Sequence, residues 1–101
     1  MKNLNICIAG LGNVGSALIN SIEENNKYFN SKLSLNINIL GISGKTKSKK
    51  RNFNIQNYNW YDNPLEMASN EECDVIVELI GHEKGLSYDL IKSALENKKH
   101  V

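Results

Sequence analysis

The chain contains two short runs that are almost entirely apolar, and each of them stops at a glycine. Leu4 to Ala9 leads to Gly10, and Val75 to Ile80, in which Glu78 is the one charged residue, leads to Gly81. Strands that helices cover on both faces have this two-sided apolar composition, whereas half-exposed strands alternate. The pattern therefore predicts two parallel strands in a covered sheet.

Helical periodicity follows both runs. Apolar residues recur at intervals of three and four from Val14 and again from Leu86, as in helices that rest on a sheet. We expect the first helix to end at Asn25-Asn26 and the second to span Leu86 to Glu96. The inward residues are predicted to be Val14, Ala17, Leu18, Ser21 and Ile22 in the first helix and Leu86, Leu90, Ile91, Ala94 and Leu95 in the second.

The remaining elements are shorter or more polar. Apolar and polar residues alternate from Leu33 and merge into an apolar end at Ile42, which predicts a second strand that begins half exposed and ends buried. Tyr58 to Tyr61 is predicted to be a short third strand. Asn63 as N-cap and Pro64 at the first helical position predict a short helix that ends near Ser69 or Asn70.

The last residues predict the end of a helix and the start of another strand. Asn97 suits the left-handed position that closes a helix, and Lys98 and Lys99 suit the negative end of the helix dipole. His100-Val101 has the composition of a strand that is only beginning. In order, the elements predict a Rossmann-type, doubly wound α/β fold with a parallel sheet of order 3-2-1-4-5, the last strand truncated.

Three glycines separate the first strand from the first helix with the spacing G-x-G-x-x-G. Gly10 permits the tight turn, Gly12 lets the main chain approach a pyrophosphate, and Gly15 lets the helix pack closely on the strand. The helix N-terminus then offers N–H donors and partial positive charge to phosphates. Residues 1–101 are therefore predicted to form one dinucleotide-binding domain. Its cleft continues at Leu79 to Gly81, because the first and fourth strands are neighbours where the strand order reverses.

The composition of the chain argues against several classes of protein. A net charge of +1 with 41% hydrophobic residues gives no reason to expect binding to nucleic acid or to a membrane surface. No apolar run approaches the roughly 18 to 20 residues that a membrane-spanning helix requires, and we expect a cytoplasmic protein. Cys7 and Cys73 are interpreted as reduced, buried thiols, because their number and spacing suit neither a disulfide framework nor a metal site.

The end of the second strand bears on the choice of cofactor. The acidic residue that would hold the ribose 2′-hydroxyl of NAD is missing there, and Ser43 and Lys45 stand in its place. A hydroxyl and a cation would bind a 2′-phosphate that a carboxylate would repel, so the sequence favours NADP over NAD. The cationic run from Lys45 to Arg51 also suits a plain solvated loop, which is the interpretation for each of its charges except Lys45.

Two residues near the cleft each have two interpretations. Glu78 is a carboxylate near the end of a buried strand, where an unpaired charge is costly. It is either paired or hydrogen-bonded to hold the local structure, or it helps to order the substrate side of the cleft. His82 follows Gly81 where a nicotinamide or its ribose could pass, and the alternative is a simply solvated loop histidine.

Five segments together resemble the N-terminal part of bacterial homoserine dehydrogenase, and the resemblance extends over nearly the whole chain. The most specific is Val-Glu-Leu-Ile-Gly at 77–81, with a helix and Lys-His-Val at 99–101 after it. The five segments are Gly10–Ser16, Ser43–Lys45, Trp60–Pro64, Asp74–Gly81 and Ala94–Val101.

The resemblance implies NAD(P)-dependent interconversion of L-homoserine and L-aspartate 4-semialdehyde, in the biosynthesis of threonine and methionine. It implies that the glycine loop holds the pyrophosphate together with Asn13 and Val14. It also implies that Ser43 and Lys45 face the adenosine 2′ group and that Leu79 to Gly81 line the nicotinamide side. The predicted cofactor-binding residues are Gly10, Leu11, Gly12, Asn13, Val14, Gly15, Ser43, Lys45, Leu79, Ile80 and Gly81.

The sequence departs from the family at Asn97, where glycine is usual, and at His82, where a second glycine is common. In the family a Thr-Ala-Asn-Lys segment would follow Val101, and its lysine transfers protons together with an aspartate of a later substrate and dimerisation domain. We therefore assign no catalytic residue here and expect these 101 residues to bind cofactor without turnover. The complete enzyme is expected to be a homo-oligomer that acts on a small molecule.

Two alternatives stay open. The chain could be the cofactor-binding half of another amino-acid or sugar dehydrogenase, which the residues after Val101 would decide. It could instead be a stand-alone module that senses NAD(P)H.

Overall fold

A computed structural model describes residues 2–45, 55–80 and 85–101 of the chain. In order along the chain, its elements are β1 (Lys2–Ala9), α1 (Asn13–Leu33), β2 (Leu35–Ser43), a 3₁₀ turn (Ile55–Asn57), β3 (Asn59–Trp60), α2 (Leu65–Ala68), β4 (Val75–Glu78) and α3 (Leu86–Glu96).

The strands form one sheet of order β3-β2-β1-β4, in which every pairing is parallel. This confirms the doubly wound α/β fold class and the first four positions of the predicted order. The fifth position holds a single parallel bridge between His100 and Val75, beside which the Ile76 N–H donates to the His100 carbonyl at 2.8 Å. Over the residues described, the fifth strand is therefore present only as its first pairing residue.

The sheet carries an apolar layer on each face, which is why β1 alternates between two cores and not between core and solvent. Ile6 and Ile8 face α1, and Cys7 and Ala9 face α2 and α3. The layer towards α1 contains Ile6, Ile8, Leu11, Ile19, Ile22, Ile39 and Ile42. The layer towards α2 and α3 contains Cys7, Ala9, Met67, Ala68, Cys73, Ile76, Leu90 and Ala94.

Helix α1 is longer than the sequence pattern predicts. The expected stop at Asn25-Asn26 is wrong, because both side-chain amides find acceptors without ending the helix. Asn25 Nδ2 donates to the Ser21 carbonyl at 2.7 Å, and Asn26 Nδ2 donates across to the Ile37 carbonyl of β2 at 3.3 Å. The helix ends at Leu33, and the capping residue Ser34 has a φ of 50° and donates its N–H to the Phe29 carbonyl. As a result, β2 begins at Leu35 instead of Leu33.

The buried face of α1 is also rotated from the predicted one. Of the residues predicted to face inward, Ile22 is buried and Leu18 is half-buried, whereas Val14, Ala17 and Ser21 are exposed. The other buried residues of the helix are Gly15 and Ile19. The intervals between apolar residues do not distinguish these two neighbouring faces of the helix. The face observed is the one on which Gly15 lies against the Gly10 carbonyl. Helix α3 has the predicted bounds, but its Leu95 is 60% exposed and not inward.

The shorter elements lie within their predicted ranges. The paired part of the third strand is only Asn59–Trp60, and β4 ends at Glu78 instead of Ile80. At the start of α2, the Asn63 side-chain oxygen accepts a hydrogen bond from the Leu65 N–H at 3.0 Å. Asn63 therefore satisfies a main-chain donor at this helix start, as expected of a capping residue.

The end of α3 differs from the expectation at two residues. Asn97 has a φ of −90°, and the left-handed residue is Lys98 with a φ of 62°. The Asn97 side chain donates instead to the Ser93 carbonyl at 2.8 Å, which satisfies a main-chain acceptor in the last turn. Lys99 is buried and donates from Nζ to the Cys73 carbonyl at 3.0 Å, so it links the end of α3 to the start of β4 and is not a solvated cation at the helix dipole.

Within residues 2–45, 55–80 and 85–101, no helix has the length and apolar character needed to cross a membrane. The same ranges contain no group of three or more His, Cys, Asp or Glu side chains arranged to hold a metal ion.

Candidate dinucleotide-binding site

The turn after β1 is built from contacts between main-chain segments. Gly10 has a φ of 105°, and a Cβ on it would lie 2.5 Å from the Leu79 carbonyl oxygen and 3.0 Å from the Ile80 nitrogen. The Gly10 N–H donates to the Ser43 carbonyl at 2.8 Å, and the Leu79 N–H donates to the Ala9 carbonyl at 2.7 Å. The turn is therefore wedged between the ends of β2 and β4, as predicted for the two halves of the cleft.

The first turn of α1 packs directly on this glycine turn. A Cβ on Gly15 would collide with the carbonyl oxygen of Gly10. Ser16 also links the helix to the glycine turn. Its hydroxyl donates to the Leu11 carbonyl at 3.3 Å, and its N–H donates to the Gly12 carbonyl at 2.9 Å. At Gly10 and Gly15, therefore, contacts with the main chain of the same domain leave no room for a side chain.

Gly12 differs from its two neighbours in this respect. Its φ of −72° is open to any residue, and a Cβ on it would meet no atom within 4 Å. Nothing in the packing of the described residues requires a glycine here, whereas a ligand that approaches the main chain closely would require one. The open space beside Gly12 therefore fits the role that the sequence predicts for it.

The start of α1 suits a negatively charged ligand. Within residues 2–45, no side chain caps this helix, and its first turn contains no acidic residue. The first N–H groups of a helix have no acceptor within the helix and carry partial positive charge. Asn13 begins the helix and is exposed beside these donors. The helix start therefore offers the donors and the charge that a pyrophosphate requires.

The two apolar residues of the motif have opposite surroundings. Val14 is 67% exposed although it is apolar and belongs to a helix that packs on the sheet. Its exposure next to the helix start is what a residue that covers a bound ligand would show, and helical periodicity had predicted it to face inward. Leu11 is only 7% exposed and packs in the layer towards α1, so only its main chain could contact a ligand.

The other half of the cleft follows β4. Leu79 packs against the layer towards α1, and Ile80 packs against the layer towards α2 and α3, so both are half-buried. The Ile80 N–H donates to Glu78 Oε1 at 2.7 Å. Glu78 is therefore hydrogen-bonded, as the first of its two interpretations requires. Gly81 and His82, which the sequence also placed here, lie outside the described residues.

The two residues expected near the adenosine 2′ group are both at the end of β2. Ser43 pairs with Ala9 in the sheet and is 3% exposed, and its carbonyl accepts the hydrogen bond from Gly10. Its observed contribution is thus to tie β2 to the glycine turn. Lys45, two residues further on, is exposed, so its charge lies at the surface beside the end of the strand. The cationic residues from 46 to 51 lie outside the described ranges.

The cysteines take no part in the cleft. Cys7 and Cys73 are 0% and 3% exposed and form no disulfide, which agrees with their interpretation as buried thiols. A hydrogen bond with Cys73, together with burial, raises the pKa of Cys7 above its ordinary value. Because the thiolate is the reactive form, this shift and the burial of Cys7 both lower the reactivity of its thiol.

Comparison with known proteins gives matches along the whole chain. The model of the oxidoreductase family with an NAD-binding Rossmann fold matches residues 4–101. Homoserine dehydrogenases from Neisseria gonorrhoeae and Pseudomonas aeruginosa are 29% and 32% identical to the chain over 101 residues, which are 100% of this chain and 23% of each relative. A crystal structure of S. aureus homoserine dehydrogenase matches with a TM-score of 0.90 and 40% identity, over 100% of this chain and 25% of that chain.

The chain thus spans about a quarter of the length of these relatives. The resemblance that the sequence motifs carry is confirmed, because the relatives named above are homoserine dehydrogenases. The matched region contains the glycine turn, the start of α1 and the end of β4, which the geometry joins into one cleft at the point where the strand order reverses. By its sheet, its glycine turn and its match over residues 4–101, the chain belongs to the oxidoreductase family with an NAD-binding Rossmann fold.

Proposed function

We propose that the chain is the cofactor-binding domain of a homoserine dehydrogenase, which interconverts L-homoserine and L-aspartate 4-semialdehyde in the biosynthesis of threonine and methionine. The cleft between Gly12 and Leu79 carries the proposal of cofactor binding, because it combines open space, helix N–H donors and a strand end at the switch point. The similarity of the whole chain to homoserine dehydrogenases supports the choice of substrate.

In this proposal, each described part of the cleft has its own task. The main chain at Gly12 and Asn13 holds the pyrophosphate at the start of α1, and Val14 covers it. The main chain at Leu79 and Ile80 faces the nicotinamide half. When bound, the nicotinamide supplies or accepts the hydride, and these residues bind and orient it.

Substrate binding and proton transfer are proposed to come from polypeptide outside these 101 residues. The chain covers 23% of the length of its relatives from Neisseria gonorrhoeae and Pseudomonas aeruginosa, and we assign none of its residues as general acid or base. On its own it would bind cofactor without turnover. The complete enzyme would act in the cytoplasm as a homo-oligomer.

The preference for NADP belongs to the same proposal. The end of β2 carries Ser43 and Lys45 and lacks a carboxylate that would repel a 2′-phosphate. Because Ser43 is almost fully buried, the exposed charge of Lys45 is the stronger support for a preference for NADP. A cation near a phosphate gains from charge-assisted hydrogen bonding.

Reduction of NADP in the presence of L-homoserine tests the proposal. The assay compares the 101-residue chain with the longer polypeptide that contains it. We expect the longer polypeptide to reduce NADP with L-homoserine and the short chain to bind NADP without reducing it. Reduction by the short chain would overturn the assignment of proton transfer to other segments. A longer polypeptide that oxidises another amino acid or a sugar, and not L-homoserine, would overturn the proposed substrate.

A further inference from the structure

Glu78 is a charged residue at the inner edge of the cleft, and its contact is with the main chain. It is the last residue of β4, pairs in register with Ala9 and is half-buried. Its Oε1 accepts the Ile80 N–H at 2.7 Å. Hydrogen bonds from a main-chain N–H to a carboxylate are charge-assisted and are stronger than those between neutral groups.

This bond lies at the point where the chain leaves the sheet. The Leu79 N–H still pairs with the Ala9 carbonyl of β1, but the next N–H, that of Ile80, pairs with the Glu78 side chain. The carboxylate therefore satisfies the first N–H after the one that Leu79 donates to β1.

The segment held in this way is the one that contacts the glycine turn. The Leu79 carbonyl and the Ile80 nitrogen approach Gly10 so closely that a Cβ there would lie 2.5 Å and 3.0 Å from them. A shift of the Ile80 amide would therefore change the spacing between the two halves of the cleft. Because reacting atoms must be held within fractions of an ångström, such a shift would matter most at the nicotinamide.

We infer that Glu78 is a positioning residue for the nicotinamide half of the cofactor. Its carboxylate fixes the Ile80 amide and thereby the main chain at Leu79 and Ile80 against Gly10. The inference rests on the proposed function, since it assumes that this edge of the cleft receives the nicotinamide. The hydrogen bond performs this task, so an uncharged acceptor of the same length can replace the carboxylate.

The same strand offers a matched control at its other end. Asp74, directly before β4, accepts the Asn5 N–H at Oδ2 with a distance of 2.9 Å. This bond also joins a carboxylate to a main-chain amide, that of Asn5 in β1, but it lies towards the amino end of β4. A variant that lacks the Asp74 bond therefore shows how the loss of a structural hydrogen bond outside the cleft changes the affinity for the cofactor.

The test measures the affinity of the 101-residue chain for two probes. NADPH contains the nicotinamide, and adenosine 2′,5′-bisphosphate lacks it. For Glu78→Leu we expect NADPH to bind about tenfold more weakly, as the loss of one charge-assisted hydrogen bond implies, with the affinity for adenosine 2′,5′-bisphosphate unchanged. Glu78→Gln should bind both probes as the wild type does. Asp74→Leu should change the affinity for both probes equally or not at all.

Circular dichroism of each variant establishes that it is folded at the temperature of the titration. Should Glu78→Leu fail to fold, Glu78→Met replaces it, since its side chain has a similar length and lacks the carboxylate that accepts the Ile80 N–H, and the same selective loss is expected. Equal losses for the two probes, or an unchanged affinity for NADPH, would overturn the inference alone. A wild-type chain that binds neither probe would overturn the proposed function and the role of Glu78 with it.

Discussion

The two ends of the same parallel sheet are built in opposite ways. At the carboxyl end, main chain packs on main chain: Gly15 abuts the Gly10 carbonyl, and Gly10 abuts Leu79. At the amino end, exposed side chains join the strands. Asn38 Nδ2 donates to Asn5 Oδ1 at 3.2 Å, and an equivalent bond of 3.1 Å joins the next asparagine pair along β1 and β2.

The difference separates the part of the sheet that can hold a ligand from the part that only supports it. The close contacts at the carboxyl end are possible only because glycines have no side chain. A methyl group added at Gly10 or Gly15 would collide with main chain, and one added at Gly12 would occupy the cleft. The amino end depends on hydrogen bonds that water can replace, and such bonds contribute little net stability. Substitutions should therefore be severe at one end and mild at the other.

The largest effect on stability is expected from Gly15→Ala. The added Cβ would overlap the carbonyl oxygen of Gly10, and relief requires α1 to move away from the turn. Alanine favours helices, but overpacking against main chain costs more, and we expect the free energy of unfolding to fall by about 2–3 kcal/mol. Urea denaturation of both proteins measures the change. A variant as stable as the wild type would show that the close contact at the carboxyl end does not constrain the fold.

Gly12→Ala should separate binding from stability at the same turn. Its Cβ meets no atom of the chain within 4 Å, so the free energy of unfolding should change by less than about 1 kcal/mol. The methyl group would, however, occupy the space that a pyrophosphate needs, and the affinity for NADPH should fall at least about tenfold. NADPH fluorescence titration and urea denaturation of one preparation give both quantities. Undiminished affinity for NADPH would argue against a ligand beside Gly12.

Lys45→Ala tests the choice of cofactor at the rim of the carboxyl end. Lys45 is exposed, so the loss of its charge should weaken binding of NADPH by about fivefold and leave binding of NADH unchanged. The difference should shrink at high salt, because exposed charges are screened. Lys92→Ala, an exposed lysine on α3, is the matched control and should alter neither affinity. Equal affinities for NADPH and NADH, unaltered by Lys45→Ala, would refute the electrostatic explanation.

The smallest effect is expected at the amino end. Asn38→Ala removes an exposed hydrogen bond to Asn5, which water can replace, and should lower the free energy of unfolding by less than about 0.5 kcal/mol. Affinity for NADPH should not change. Urea denaturation and titration check both statements, and a loss as large as that of Gly15→Ala would remove the contrast between the two ends.

The features that the sequence predicts well are those with a local physical cause. The spacing of Gly10 and Gly15 follows from a turn and a close contact within a few residues. The strand order follows from two-sided apolar runs joined by helices, and the bounds of α3 follow from its own periodicity.

The features that the sequence does not predict depend on partners far along the chain. Asn26 does not end α1 because its amide reaches a carbonyl of β2. Lys99 looks like a solvated cation after a helix, yet it is buried against the Cys73 carbonyl. In both cases a contact with another part of the chain decides the outcome. The partner of Glu78 lies only two residues on, but the Ile80 amide becomes available to it only where β4 ends.

The central claim is that main-chain geometry at the carboxyl end of the sheet forms a nucleotide site. Calorimetric titration of NADPH into the wild-type chain and into Gly12→Ala tests it most directly. We expect saturable binding of one molecule per wild-type chain, and binding at least about tenfold weaker in Gly12→Ala, whose free energy of unfolding changes by less than about 1 kcal/mol. Absence of binding to the folded wild type, or equal binding by the two proteins, would contradict it.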